Sequence, residues 1–154
     1  MPLKLDGLDL NILRALQSDS SIQNLELANK VGLSPSPCLR RVRALEESGA
    51  IKGYHAEVAP EALGLRFSVF VRVNLERQDK KAIEGFAKTV EAIREVQECF
   101  LMAGSYDYLL RVVARDIDDY QRFQMDVLTQ IKDVRNIETE IPLKTIKSTN
   151  ALPF

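Results

Sequence analysis

The sequence predicts an α+β protein in two parts, because the spacing of its apolar residues changes along the chain. From Leu5 to about Gly49 apolar residues recur at helical intervals, whereas from Phe67 onward stretches that alternate every second residue take turns with helical ones. Pro60 and Gly64 punctuate the passage between the two. A composition of 45% hydrophobic and 28% charged residues over 154 positions suits one ordinary domain or two small ones. The expected domains are therefore residues 1–50 and 66–154, joined by a 51–65 linker with a short strand.

Asp6 can N-cap a first helix with Asp9 three residues on, and Leu5 before the cap can pack on Leu10. Ile12, Leu13 and Leu16 then form the buried face. Polar residues from Ser18 to Ser21 break that helix, and Gln23 or Asn24 opens a second of about two turns with Leu25, Ala28 and Val31 inward. Gly32 can end it in the left-handed conformation, Leu33 plugs the corner, and Ser34 N-caps a third helix. Pro35 and Pro37 fall at its first and third positions, where no intrahelical N–H is needed.

At about 100° per residue, Cys38, Val42 and Leu45 point to one side of this third helix. Ser36, Pro37, Arg40, Arg43 and Glu47 point to the other, Leu39 lies at the edge of the apolar side and Arg41 lies on the flank. Arginines on an exposed helix face are ordinarily only solvated. Here a short helix, a glycine turn and a Ser-capped helix precede them, which are the parts of a helix-turn-helix whose recognition helix enters the major groove N-terminus first. The net charge is −1, so attraction for a polyanion must come from this local patch rather than from a broad positive field. Downstream, AIKGYHAEV suggests a short strand serving as wing or linker.

In the second part, Phe67, Val69, Val71, Val73 and Leu75 share one face of a half-buried strand. Asp79 caps a helix carrying Ile83, Phe86, Ala87 and Val90, and a strand follows at about Glu98 to Ala103. SYDYLLRVVA begins a second unit, Asp116 and Asp119 resemble a capping pair for a helix carrying Tyr120, Phe123, Val127 and Leu128, and Val134 to Ile146 supplies a closing strand. The order βαββαβ is the ferredoxin-like pattern, an antiparallel sheet covered on one face by two helices. Phe70, Leu109 and Val113 would be left on the uncovered face, so at least a dimer is expected. Paired helix-turn-helix units can then read a palindromic site.

Several classes are excluded as expectations. No run of about 18 apolar residues is present and acids interrupt MPLKLDGLDLNIL, so neither a membrane span nor a secretory signal is expected and the location is read as cytoplasmic. Cys38 and Cys99 lack metal-ligand spacing and His55 is the single histidine, so reduced thiols, no metal and no cofactor are expected. Nor is there an acid/base constellation that would make the chain an enzyme.

LDGLDLNILRALQ, VGLSPSPCLRRVRALEESGAIKGY and AGSYDYLLRV, in this order and spacing, resemble the Lrp/AsnC (feast/famine) family of transcription regulators. SPSPCLRR is closest to the leucine-responsive branch. The resemblance implies a winged helix-turn-helix, a strand-forming linker and a ligand-binding βαββαβ domain, assembled into dimers and commonly into octamers as a tetramer of dimers. It places Ser34, Ser36, Pro37, Arg40, Arg41 and Arg43 in the segment contacting double-stranded DNA. It places an amino-acid effector, with leucine and methionine the candidates, near Gly104, Ser105, Tyr106, Asp107, Tyr108 and Thr139. There Asp107 could accept from an α-ammonium, or could simply shape a tight turn. The pattern is departed from at Ser21, where the family often has arginine, at Gln23, usually Ser or Thr, and at Ile137, often a second threonine. The implied function is a sequence-specific regulator whose assembly or DNA affinity responds to an amino acid; the alternative is an effector-independent protein that wraps DNA.

Overall fold

Helix formation begins at Asp6 in the computed structural model, which describes residues 4–154. Helix α1 (Gly7–Ser18) opens with a complete capping box: the Asp6 side chain accepts from the Asp9 N–H at 2.9 Å and the Asp9 side chain accepts from the Asp6 N–H at 3.0 Å. Helix α2 (Asn24–Val31) follows, and Gln23 at its N-cap makes no side-chain capping bond. Gly32 takes the left-handed conformation, φ 72°, and lets the Leu33 N–H close on the Ala28 carbonyl at 2.9 Å. Helix α3 (Pro35–Glu47) completes the helical part.

Ile12, Ala15, Leu27, Ala28, Val31, Cys38 and Leu45 form one buried cluster, with Leu5, Leu13, Leu16, Ile22, Leu33, Val42 and Ile51 packed against it. Leu25 does not join it; at 61% exposed it points to solvent, and Leu27 takes the inward position instead. Residues 52–59 form no regular element in place of the expected short strand, since strand hydrogen bonds need a neighbouring strand that the single chain does not offer here. Tyr54 fastens this stretch to α3 by donating to Glu46 Oε1 at 2.9 Å. Burial, with help from that carboxylate, pushes its phenol up to about 12.

The second part holds strands β1 (Phe67–Leu75), β2 (Val96–Leu101), β3 (Tyr108–Ala114) and β4 (Val134–Glu140), with helices α4 (Lys80–Glu91) and α5 (Ile117–Asp126). All pairings are antiparallel and the sheet order is β2-β3-β1-β4. This is the ferredoxin-like order expected from βαββαβ. Asp79 and Asp116 cap their helices through the N–H groups of Ala82 and Asp119. Strand β4 stops at Glu140, short of the expected Ile146, because Pro142 has no N–H to continue a ladder.

Val69, Val71, Val73 and Leu75 of β1 pack with Leu110 and Val112 of β3 beneath Phe86 and Val90 of α4 and Tyr120 and Phe123 of α5. The opposite face carries Phe70 and Leu109, both half-buried, and Phe100, 50% exposed. Val113, expected to be wet there, is buried at 9% exposure. Arg72 pairs with Glu140, and Arg111 Nε with Glu98 Oε2 at 2.6 Å, on the same face.

The chain separates into two units by its internal contacts, one running to Glu57 and taking in Lys147–Phe154, the other Val58–Ile146. The 147–154 segment thus belongs with the helical unit rather than with the sheet, contrary to the domain expected at 66–154. Among the described residues no helix is long and apolar enough to cross a membrane.

Candidate functional site

The start of α3 owes its character to two prolines. Ser34 occupies the N-cap position with extended geometry, yet its side chain makes no capping bond. A capping hydroxyl accepts from the N–H groups two or three residues on; Pro37 at the third position has none, and the remaining donor, the Ser36 N–H, is not engaged by Ser34. The hydroxyl is left for an outside partner. Ser34 and Ser36 are exposed, Pro37 is half-buried, and no acid occupies the first turn. The helix N-terminus therefore presents an uncompensated positive dipole end suited to phosphate. Asn24 fixes where that end sits, its Nδ2 donating to the Pro35 carbonyl at 2.9 Å.

Arg40 and Arg43 are exposed and neither is engaged by a carboxylate among the described residues. Arg41 differs. Its Nη1 lies 2.8 Å from Asp6 Oδ2 and 2.7 Å from Asp9 Oδ1, so its guanidinium is tied to the capping box of α1. The pairs raise the Arg41 pKa further, and the Asp6 carboxyl is held below 3.8 chiefly by the Asp9 N–H and then by Arg41. The sequence wheel placed Arg41 on the flank but gave no sign of this tie, which spans 35 and 32 residues of sequence.

The second candidate site is the turn between β2 and β3. Pairing of β1 with β3 ends at Val73 opposite Tyr108, so the Leu75 N–H, two residues on, has no β3 carbonyl to meet. Asp107 Oδ2 accepts it at 2.7 Å, and Asp107 Oδ1 accepts from Gln78 Nε2 at 2.8 Å. The Asp107 N–H donates to the Val73 carbonyl at 3.0 Å, while its own carbonyl accepts from the Met102 N–H at 2.9 Å. Asn74 Nδ2 adds a bond to the Ser105 carbonyl at 3.0 Å. The turn is stapled to β1, and Asp107 is the staple. Sequence reasoning missed Asn74 and Gln78, whose roles depend on a turn about 30 residues away.

Tyr106 lies against Arg72, whose guanidinium carbon is 5.1 Å from the ring centroid. A Cβ added to Gly104 would meet nothing within 4 Å, so the space over that backbone is open. Two residues expected in this site are placed elsewhere. Tyr108 is a core residue, 2% exposed, its ring centre 4.5 Å from that of Phe86 at a tilt of 35°, and its hydroxyl donates to the Ile83 carbonyl at 2.8 Å. Thr139 pairs with Val71, on the helix-covered face, where its hydroxyl shares a 2.5 Å hydrogen bond with Tyr120. Gly104, Ser105, Tyr106 and Asp107 are brought together.

A helix-turn-helix with an open basic face, on one chain with a ferredoxin-like domain that carries a stapled, accessible turn, defines a DNA-binding regulator with a separate sensory domain. Comparison with known proteins agrees: a winged helix-turn-helix DNA-binding pattern matches residues 5–52 and the Lrp/AsnC ligand binding domain matches residues 68–152. The chain belongs to the Lrp/AsnC family of transcriptional regulators. It is 39% identical over 154 residues to the transcriptional regulator AzlB of Bacillus subtilis, covering 100% of this chain and 98% of that one. With the leucine-responsive regulatory protein of Escherichia coli K12 it shares 40% identity over 148 residues, 96% of this chain and 90% of the other. Its fold matches that of a transcriptional regulator from Neisseria meningitidis, crystallised as an L-Met complex, with a TM-score of 0.93 and 39% identity over 97% of each chain. The members compared are transcription regulators, not enzymes.

Two outcomes test these local readings. Because the folded Asp6 pKa lies below its ordinary value, its contribution to stability is complete above 3.8 and is lost as pH falls through the lower folded value. Acid titration of helix content should therefore show Asp6→Asn flattening the pH dependence of the helical unit below 3.8; an unaltered curve contradicts the tie. Asp107→Ala should destabilise the sheet unit by about 1–3 kcal/mol in denaturant titration, since it strands a half-buried N–H. Unchanged stability would mean that the staple bears no weight.

Proposed function

We propose that the N-terminal half of α3 enters the major groove of double-stranded DNA, with Ser34, Ser36 and Pro37 against phosphate and Arg40 and Arg43 reaching backbone or base edges. One observation carries this reading: the dipole end, the unused Ser34 hydroxyl and the two unpaired arginines all lie away from the side of α3 that buries Cys38 and Leu45. Arg41 serves as the brace that holds α3 to α1.

Two copies pair through the uncovered face of the sheet, whose apolar residues Phe70, Leu109 and Phe100 alternate with in-plane ion pairs, and higher assembly to a tetramer of dimers follows the family's habit. The effector is an amino acid, with methionine and leucine first in line, because a relative of high structural similarity was crystallised with L-Met and others are named leucine-responsive. It binds over the open backbone at Gly104, beside Ser105 and Tyr106, on a turn whose shape Asp107 maintains. The stapled turn favours this division of labour: Asp107 has both carboxylate oxygens in use, leaving ligand contacts to its neighbours and to a second copy. An amino acid regulates only through a difference in affinity between assemblies.

Arg40→Ala and Arg43→Ala should each weaken operator binding and lower the magnitude of the salt slope by about 1, with the oligomer intact by light scattering. Unchanged affinity and slope in both would remove α3 from the groove. Thermal-shift and calorimetric screening against the amino acids should give methionine or leucine stabilising the sheet unit. If none binds, the effector-independent DNA-wrapping reading takes its place.

A further inference from the structure

Residues Lys147–Phe154 form no regular secondary structure, yet they group with the helical unit. Two side chains of α1 hold them. The Leu152 N–H donates to Gln17 Oε1 at 2.7 Å, and Gln17 Nε2 returns a longer bond to the Leu152 carbonyl at 3.4 Å. A primary amide presents the same donor and acceptor pair as a peptide group, so Gln17 receives the Leu152 backbone much as a neighbouring strand would. One turn earlier, Arg14 Nε donates to the Phe154 carbonyl at 2.9 Å, and its guanidinium carbon lies 5.4 Å from the centre of the Phe154 ring. Asn11 Oδ1 accepts from Arg14 Nη1 at 3.0 Å and orients it. Within the segment, the Ala151 N–H donates to Thr149 Oγ1 at 3.1 Å.

Each contact is exposed and weak alone; together they specify backbone at one residue and both backbone and ring at another. Their consequence lies in the connectivity. The chain passes between the two units at Glu57 to Val58 and again at Ile146 to Lys147, so the helical unit carries two covalent connections to the sheet unit whenever this segment is docked. Undocked, the first connection alone remains, and it lies in the 52–59 stretch, which has no regular secondary structure.

We propose that Lys147–Phe154 is a strap: clipped onto Arg14 and Gln17, it gives the DNA-binding unit a second tether that restricts how paired copies present their recognition helices to two half-sites. The strap's gain is entropic. A unit on one flexible tether must be ordered when the second half-site is engaged, whereas a doubly tethered unit has already lost that freedom, which raises the effective concentration of the second recognition helix. The helix that the strap grips is also the one braced to α3 through Arg41, so the restriction reaches the groove-facing surface through packed structure. The proposal rests on the reading of the protein as a DNA-binding assembly of paired copies.

The test uses the full chain and a palindromic operator obtained by in vitro selection, together with a single half-site cut from it. Arg14 and Gln17 are exposed, so the double variant Arg14→Ala, Gln17→Ala leaves the Ile12 and Ala15 core contacts alone. In the parent, the Leu152 amide should be protected from hydrogen exchange and the palindrome strongly preferred. In the double variant, that protection should vanish and palindrome affinity should fall by about tenfold, with half-site affinity unchanged. A variant that loses Leu152 protection but keeps the parent's preference overturns the strap alone. So does a parent whose Leu152 amide exchanges as in a free peptide, or a variant whose half-site affinity falls as far as its palindrome affinity, since that would put Arg14 on the DNA itself. A parent that binds palindrome and half-site equally overturns the paired reading, and the strap's role with it.

Discussion

The position of the recognition helix depends on one ion-pair cluster, Arg41 with Asp6 and Asp9. The two carboxylates are already employed as the reciprocal cap of α1, so the same atoms that decide where α1 starts also decide where α3 lies against it. Isolated surface ion pairs contribute little. This one differs in being a shared network whose acceptors are held by backbone N–H groups before the guanidinium arrives, so little side-chain freedom remains to be lost. It also explains how three arginines within four positions divide their labour. Arg41 faces inward to α1, while Arg40, one residue before it, and Arg43, two residues after, keep their positive heads in solvent.

The second unit applies the same logic to a turn. Strand β3 begins at Tyr108, opposite Val73, too late to meet the Leu75 N–H of β1, and Asp107 supplies the missing acceptor. A carboxylate in that role holds the backbone from Met102 to Tyr108 in one shape while leaving Gly104 open above. Both units thus use an acidic side chain to complete hydrogen bonding that secondary structure alone leaves unfinished.

Much of this was legible from sequence because it is local. Capping at Asp6, Asp79 and Asp116, the left-handed Gly32, the alternation in β1 and the order βαββαβ all depend on residues within a few positions of one another. Tyr108 was legible in principle: the alternation that buries Leu110 and Val112 puts Tyr108 on the same core face, and reading it as part of the turn ignored that period. Leu25 was misread because in a helix of eight residues one position decides which stripe faces inward. The partners of Arg41, Asp107 and Thr139 were beyond reach. Each is chosen by tertiary packing between segments 19 to 35 residues apart, and no periodicity reports such pairing.

The central claim is that Arg41 braces the recognition helix while its neighbours meet DNA. A double-mutant cycle of Arg41→Gln and Asp9→Asn, with operator affinity followed across a salt series, tests it most directly. As a brace, either change alone should weaken binding without altering the salt slope, and the pair together should do no more damage than one. If instead Arg41→Gln lowers the slope by about 1 while Asp9→Asn leaves binding unchanged or tighter, Arg41 is a phosphate contact and the account is wrong.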